Sequence, residues 1–179
     1  MIVISVRMFL FDSPFCLDVV TITHTFGGVR EMQDNEYLYS STMAYEDNFS
    51  FKFEIKRNPA GYLSIYLTCD NPAQTWSLNT GRLIRLISGK NGVHSAQRFS
   101  NDRTYTPSSN SWGFSKFILW ADLVNDDNGY INDDGEITIE VLIYPHSFSI
   151  NQGKKVYCKC LNDVNSHAET FMKMTNNMV

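Results

Sequence analysis

The chain has 179 residues, 43% of them hydrophobic and 19% charged, enough for one domain with a full core and short for two. A net charge of −4, with no Lys/Arg run longer than two, gives a nucleic-acid surface no electrostatic basis. No window approaches the ~20 apolar residues of a membrane-spanning helix.

At the amino terminus Met1-Ile-Val-Ile-Ser-Val6 is apolar, but Arg7 interrupts it and Asp12 follows. No basic segment precedes it and no small-residue cleavage site closes it, so it does not read as a secretory signal. Residues 1–18 are expected to be an extension ahead of the domain, and the protein is expected in the cytoplasm, with the nucleus as an alternative.

The clearest local signal is Phe49-Ser-Phe-Lys-Phe-Glu-Ile-Lys56, in which Phe49, Phe51, Phe53 and Ile55 alternate with polar residues, the pattern of a strand with one wet face. Asn58-Pro-Ala-Gly61 supplies turn chemistry. Tyr62–Thr68 then puts Leu63, Ile65 and Leu67 on one face and Tyr62, Ser64, Tyr66 and Thr68 on the other, completing a hairpin. The sequon Asn48-Phe-Ser50 is expected inside this strand region and not in a glycosylated loop.

A third strand is expected within Thr75–Ser88, with Trp76, Leu78, Ile84 and Leu86 on one parity and a turn at Gly89–Gly92. Ser100–Ser111 is rich in Ser, Asn and Thr, contains Pro107, and reads as a long polar loop. Within Ser111–Ile118, Trp112 and Phe114 share a parity, and Phe117 falls on the opposite one in an extended segment. Asp133-Asp134 reads as a turn, followed by a strand with Ile137, Ile139, Val141 and Ile143 inward. Lys154–Leu161 is a last candidate strand, and Ser166-His-Ala-Glu169 resembles a capping box for a short C-terminal helix to about Thr175. Many short strands and almost no helix argue for an all-β antiparallel sandwich.

Catalytic chemistry has no foothold. His24, His94, His146 and His167 are scattered, without a His-Glu-x-x-His pair, a Gly-x-Ser-x-Gly elbow or a phosphate-cradling loop, so the chain is read as a non-enzyme. Cys16, Cys69, Cys158 and Cys160 lack the four-ligand spacing of a zinc site and are expected to be reduced thiols. The acidic run Asn125–Glu136 lacks the ligand spacing of an EF-hand loop. No metal or other cofactor is expected.

The order Thr23-His-Thr-Phe26, Tyr37-Leu-Tyr-Ser40, Leu63-Ser-Ile-Tyr-Leu67, Ser111-Trp-Gly-Phe-Ser-Lys-Phe-Ile118, Asp122-Leu123 and Asn128-Gly-Tyr-Ile-Asn-Asp-Asp134 resembles the MATH (meprin and TRAF homology) domain. The likeness runs from about Val19 to Tyr144. It implies an antiparallel sandwich of about eight strands with TRAF-like topology, with residues 19–144 as the domain and 145–179 as a C-terminal strand and tail. It also implies capture of an extended peptide along an exposed strand and shallow groove. By local motif the groove aromatics of the family's substrate adaptors fall on Tyr66, Trp112 and Phe114. A further groove Phe falls on Arg82, or on Leu83 after a one-residue slip. A groove Tyr falls nearest Tyr105, with Phe99 as a second candidate.

The expected partners are therefore linear motifs in other proteins, with homo- or hetero-oligomers of MATH/BTB proteins, no nucleic acid and no membrane. A role in recruiting substrates for ubiquitination would follow. The residues after Tyr144 are too few for a BTB fold and lack heptads, so a stand-alone MATH protein or a truncated adaptor is expected. A different class, a lectin-like sandwich binding carbohydrate through aromatics and Asp/Asn-rich loops, is the alternative.

Overall fold

The computed structural model describes residues 3–6, 19–90, 93–151 and 153–156. Alternation forms the centre of the domain. Strand β5 (Ser50–Asn58) and strand β6 (Tyr62–Asp70) pair antiparallel in unbroken register, from Ser50 opposite Asp70 to Asn58 opposite Tyr62. Their apolar parity is sealed: Phe51, Phe53, Ile55, Leu63, Ile65, Leu67 and Cys69 are all buried. The turn is the expected one. Asn58 accepts from the Ala60 amide, and Gly61 takes φ +79°, a value that suits a residue without a Cβ.

Short strands β3 (Tyr37–Tyr39) and β4 (Met43–Ala44) lie on the far side of β5, and β9 (Ser111–Leu119) pairs with β6. The second sheet runs β1 (Val3–Val6), β2 (Val20–Phe26), β10 (Ile137–Ile150), β7 (Trp76–Ile87) and β8 (Ala96–Tyr105), with β11 (Gly153–Val156) on the end of β10. The two sheets face each other across one core that includes Ile22, Phe26, Phe53, Ile65, Leu78, Ile84, Ile139 and Val141. This is the expected antiparallel sandwich. Among the described residues, helix is confined to α1 (Trp120–Val124) and two single 3-10 turns.

Several local expectations change. Ser100–Ser111 is not a loop: most of it is the end of β8, the two-residue turn at Pro107-Ser108 and the start of β9. Polarity misleads there because β8 is an edge strand. Among the described strands it pairs with β7 alone, and half of its residues are exposed with only Tyr105 buried, so it needs few apolar residues. Strand β7 is continuous through Thr80, Gly81 and Arg82, with a register shift against β8 at that point. The sequon residue Asn48 lies in an exposed 3-10 turn (Glu46–Asn48), not in a strand.

Ser64 keeps the same strand parity as Tyr66 but is not exposed with it. It is buried and donates to the Ser115 carbonyl (2.8 Å). The cause is a bulge: between the pairs Leu63–Ile118 and Ile65–Phe114, one residue of β6 opposes three of β9. The same bulge resets parity, so Phe117 turns inward and packs edge-on to Phe114 at 6.3 Å instead of facing away.

Asn132 organises the expected Asp133-Asp134 turn by accepting from the amides of Asp134 and Glu136. Strand β10 continues past Tyr144 to Ile150, with a register shift at Pro145/Ser147. Cys69 is a buried free thiol whose pKa is pushed up by burial and then by Asp70. Cys16, Cys158, Cys160, most of the expected strand at 154–161 and the capping box at 166–169 lie outside the described residues, as do Asn91 and Gly92 of the expected turn.

Candidate functional site

Two edge strands, β8 and β9, bound the same side of the sandwich. They follow each other in the chain and pass from one sheet to the other through Thr106–Asn110. The Asn110 carbonyl accepts from the Cys69 amide, anchoring the crossover to β6. Strand β9 pairs with β6 on one side and with no other described strand, so its outer backbone groups are open to an added strand.

The register decides what flanks that open edge. Gly113 stands opposite Tyr66, while Trp112 and Phe114 stand opposite the core residues Leu67 and Ile65. Tyr66 therefore lies on the outer face, and the two β9 aromatics turn inward, half-buried against the core. A Cβ at Gly113 would meet the Ile65 carbonyl oxygen at 2.1 Å and the Tyr66 Cα at 2.5 Å. Glycine is required because the Tyr66 backbone and ring lie directly over it. The motif glycine thus seats Tyr66 at the rim while its two neighbours line the interior side.

Across the cleft, β8 presents arginines to these rings. Arg103 lies 5.1 Å from the Trp112 ring centroid and Arg98 lies 5.8 Å from that of Phe117, within cation–π range. Both stand at inward register positions, Arg103 opposite Thr80 and Arg98 opposite Ile84. Sequence reasoning passed over them because the segment was read partly as loop. Strand alternation outward from Tyr105 could have found Arg103.

Two other expected site residues are sealed. Arg82 is 1% exposed and Tyr105 is 0% exposed. The Arg82 guanidinium donates to the Tyr105 hydroxyl at 2.5 Å, so the two are brought together beneath the cleft and neither offers free surface. Burial pushes the Tyr105 phenol up to about 12, and the Arg82 charge offsets part of that rise. Burial likewise pulls the Arg82 pKa down, opposed by Tyr105 and reinforced by the like charge of Arg103. Leu83 is buried and Phe99 half-buried. Thr80 Oγ1, Arg82 Nε and Trp112 Nε1 are buried without a hydrogen-bond partner.

On the outer face, Tyr66 is accompanied by Tyr62, Thr68 and Glu54, and Thr68 donates to the Ser111 hydroxyl at 3.2 Å. Farther out, Tyr37 and Tyr39 stack in parallel at 6.2 Å, with Lys56 and Lys52 over their rings. No cluster of three or more His, Cys, Asp or Glu side chains able to hold a metal occurs among the described residues. None of the described helices is long and apolar enough to cross a membrane.

Comparison with known proteins agrees with this architecture. The family model described as "MATH domain" matches residues 26–144. A BTB and MATH domain-containing protein (number 38) of Caenorhabditis elegans is 31% identical over 121 residues, 66% of this chain and 30% of that protein. From Dictyostelium discoideum, a TNF receptor-associated factor family protein is 30% identical over 99 residues (52% of this chain, 21% of that protein). The RING finger protein DG17 of the same organism is 30% identical over 82 residues (46% and 17%). The chain spans less than a third of the length of each of these relatives. MATH domains generally act as protein–protein interaction modules and not as enzymes. With the family model matched over two thirds of its length and the sandwich in place, this chain belongs to the MATH domain family.

Proposed function

We propose that this chain captures short linear segments of partner proteins by adding them as a strand along the open edge of β9. The observation that carries this reading is the register of β9. An unpartnered backbone edge runs between Tyr66 on the outer face and Trp112 and Phe114 on the inner one. Backbone hydrogen bonds from such an edge supply affinity independent of sequence, and pockets for alternate side chains supply selection. Tyr66, beside Thr68 and Ser111, suits a segment with small hydroxyl side chains, and its ring adds buried area. Arg82 and Tyr105 support this edge from beneath.

Likeness to a RING finger protein and to a BTB and MATH domain-containing protein supports the further reading that the captured protein is delivered for ubiquitination. In that reading the chain performs no chemistry itself and assembles with MATH or BTB partners in the cytoplasm or nucleus, where avidity strengthens a weak single site.

The test is a pull-down that identifies a bound segment, followed by titration of that peptide. Tyr66→Ala is expected to weaken binding by about tenfold or more, as for an interfacial aromatic anchor, with the melting temperature unchanged. Unchanged affinity in a folded Tyr66→Ala protein overturns the assignment.

A further inference from the structure

The cleft between β8 and β9 holds more positive charge than its own acids answer. Elsewhere Arg30 pairs with Asp126, Arg57 with Asp34, Arg85 with Glu140 and Lys90 with Asp127, while Lys52, Lys56 and Lys116 lie over exposed or half-buried tyrosine rings. Arg98 and Arg103 form no ion pair among the described residues and lie on aromatic rings instead, Arg98 also donating to the Gln97 carbonyl at 3.0 Å. Asp102, the acid nearest them in sequence, is turned to His146 at 3.3 Å. Beneath them Arg82 is buried with a phenol as its side-chain partner and no carboxylate, close enough to Arg103 for the two charges to oppose each other.

A buried guanidinium without a counter-ion is costly, and a second cation beside it raises the cost. The same place gathers buried polar atoms without partners. Arg82 Nε and Trp112 Nε1 are donors, and the Thr80 hydroxyl can donate. Thr80 stands opposite Arg103, and Arg103 covers the Trp112 ring. Two neighbouring positive charges, Arg82 and Arg103, and three unmet polar atoms set on both walls of one cleft, with Arg98 farther along the same strand, have an anion as their natural complement. A serine or threonine hydroxyl would satisfy one donor and leave every charge unanswered. A carboxylate accepts in bidentate fashion from a guanidinium and answers charge as well.

We propose that the β8/β9 cleft is an oxyanion subsite that takes the side-chain carboxylate of an acidic residue in the captured segment. This rests on the strand-addition reading and names the class of segment it selects. The carboxylate meets Arg103 beside the Trp112 ring as the segment lies along β9, Arg82 adds its charge from below, and Arg98 stands farther along β8 opposite Ile84. A phosphoserine presents the same oxyanion chemistry, and the experiment separates the two sources.

Two measurements on the folded chain test it. The first is an array of nine-residue Ser/Thr-containing peptides, each made with Glu, Gln, Ser or phosphoserine at one position. Glu versions are expected to bind about tenfold or more tightly than Gln versions, a charge-assisted contact. That preference is expected to vanish in Arg98→Gln/Arg103→Gln, whose changes lie at exposed positions. Phosphoserine exceeding Glu keeps the subsite and assigns it to phosphate.

The second measurement needs no peptide. Sodium phosphate is titrated at constant ionic strength while the indole N–H of Trp112 and the arginine Nε–H signals are followed by NMR. Saturable shifts at Trp112, Arg82 and Arg103 are expected. Equal binding of Glu, Gln and Ser peptides, with no such shifts, overturns the oxyanion subsite and leaves strand addition standing. Saturable shifts without binding of any peptide uphold the subsite and overturn strand addition. Neither shifts nor peptide binding overturns both.

Discussion

The β5–β6 and β8–β9 segments are both antiparallel arms of the same sandwich, yet they are built on opposite principles. In β5–β6 every apolar position reaches the core, the register is unbroken and a four-residue turn closes the hairpin. In β8–β9 the strands belong to different sheets and the pairings with β6 and β7 are both bulged. The inward positions carry Arg98, Arg103 and half-buried aromatics. One arm holds the fold together. The other leaves backbone edges and polar atoms without partners, which is the condition for binding something else.

That contrast predicts where substitutions act. Phe53→Ala removes a fully buried ring from β5 and is expected to lower unfolding free energy by about 3–5 kcal/mol, read from urea denaturation. The effect on peptide selection should be nil wherever the protein remains folded. Gly113→Ala is expected to cost roughly 1–3 kcal/mol from overpacking, because its methyl group would meet the Ile65 carbonyl and the Tyr66 backbone. Unlike Phe53→Ala it should also displace Tyr66, so a change in tyrosine chemical shifts without loss of the fold separates the two arms.

Tyr105→Phe leaves the buried Arg82 guanidinium without its hydroxyl acceptor. A loss of about 1–3 kcal/mol is expected for such an orphaned group, with a smaller loss in Arg82→Met, which removes the charge along with its need. If Arg82→Met proves the more damaging of the two, Arg82 is structural in the ordinary sense and the contrast between the arms narrows.

The smallest effect concerns pH. Burial lowers the pKa values of His24 and His146 below the ordinary 6.5, in His146 against the opposing pull of Asp102. The unfolded chain then binds more protons than the folded one near that pH, so stability is retained above 6.5 and declines as pH falls from 6.5 toward the lowered values. Melting temperatures measured from pH 7.5 to 5.5 should fall, and His24→Gln/His146→Gln should flatten the fall. An unchanged slope would show that the two imidazoles titrate normally.

The sandwich was legible because its hairpin at Phe49–Thr68 and the strand at Ile137–Ile143 alternate cleanly, and period-two burial is a local property of sequence. The edge strand β8 was not, since its residues read as loop unless a neighbouring strand supplies the hydrogen bonds. Tyr66 was correctly placed on the outer face by parity alone. The bulge of β9 against β6 turned Phe117 inward and buried Ser64 under Ser115 without changing its strand face, and no residue in either strand announces it. Arg82 and Tyr105 were reached through family likeness to groove aromatics. Their burial, and their bond to each other, depends on how β7 and β8 lie under the cleft.

By itself, then, the sequence determined that this chain is an antiparallel MATH sandwich and which parts of it alternate, and its likeness to the family grouped Trp112 and Phe114 with Tyr66. Those are matters of periodicity and motif order, written in consecutive residues. Only the tertiary structure decided that Tyr66 and Trp112 flank β9 from opposite faces, and that Arg98 and Arg103 stand over the β9 rings above a buried Arg82. These relations are set by register between strands tens of residues apart, and a register shift in either pairing moves a side chain from one face to the other.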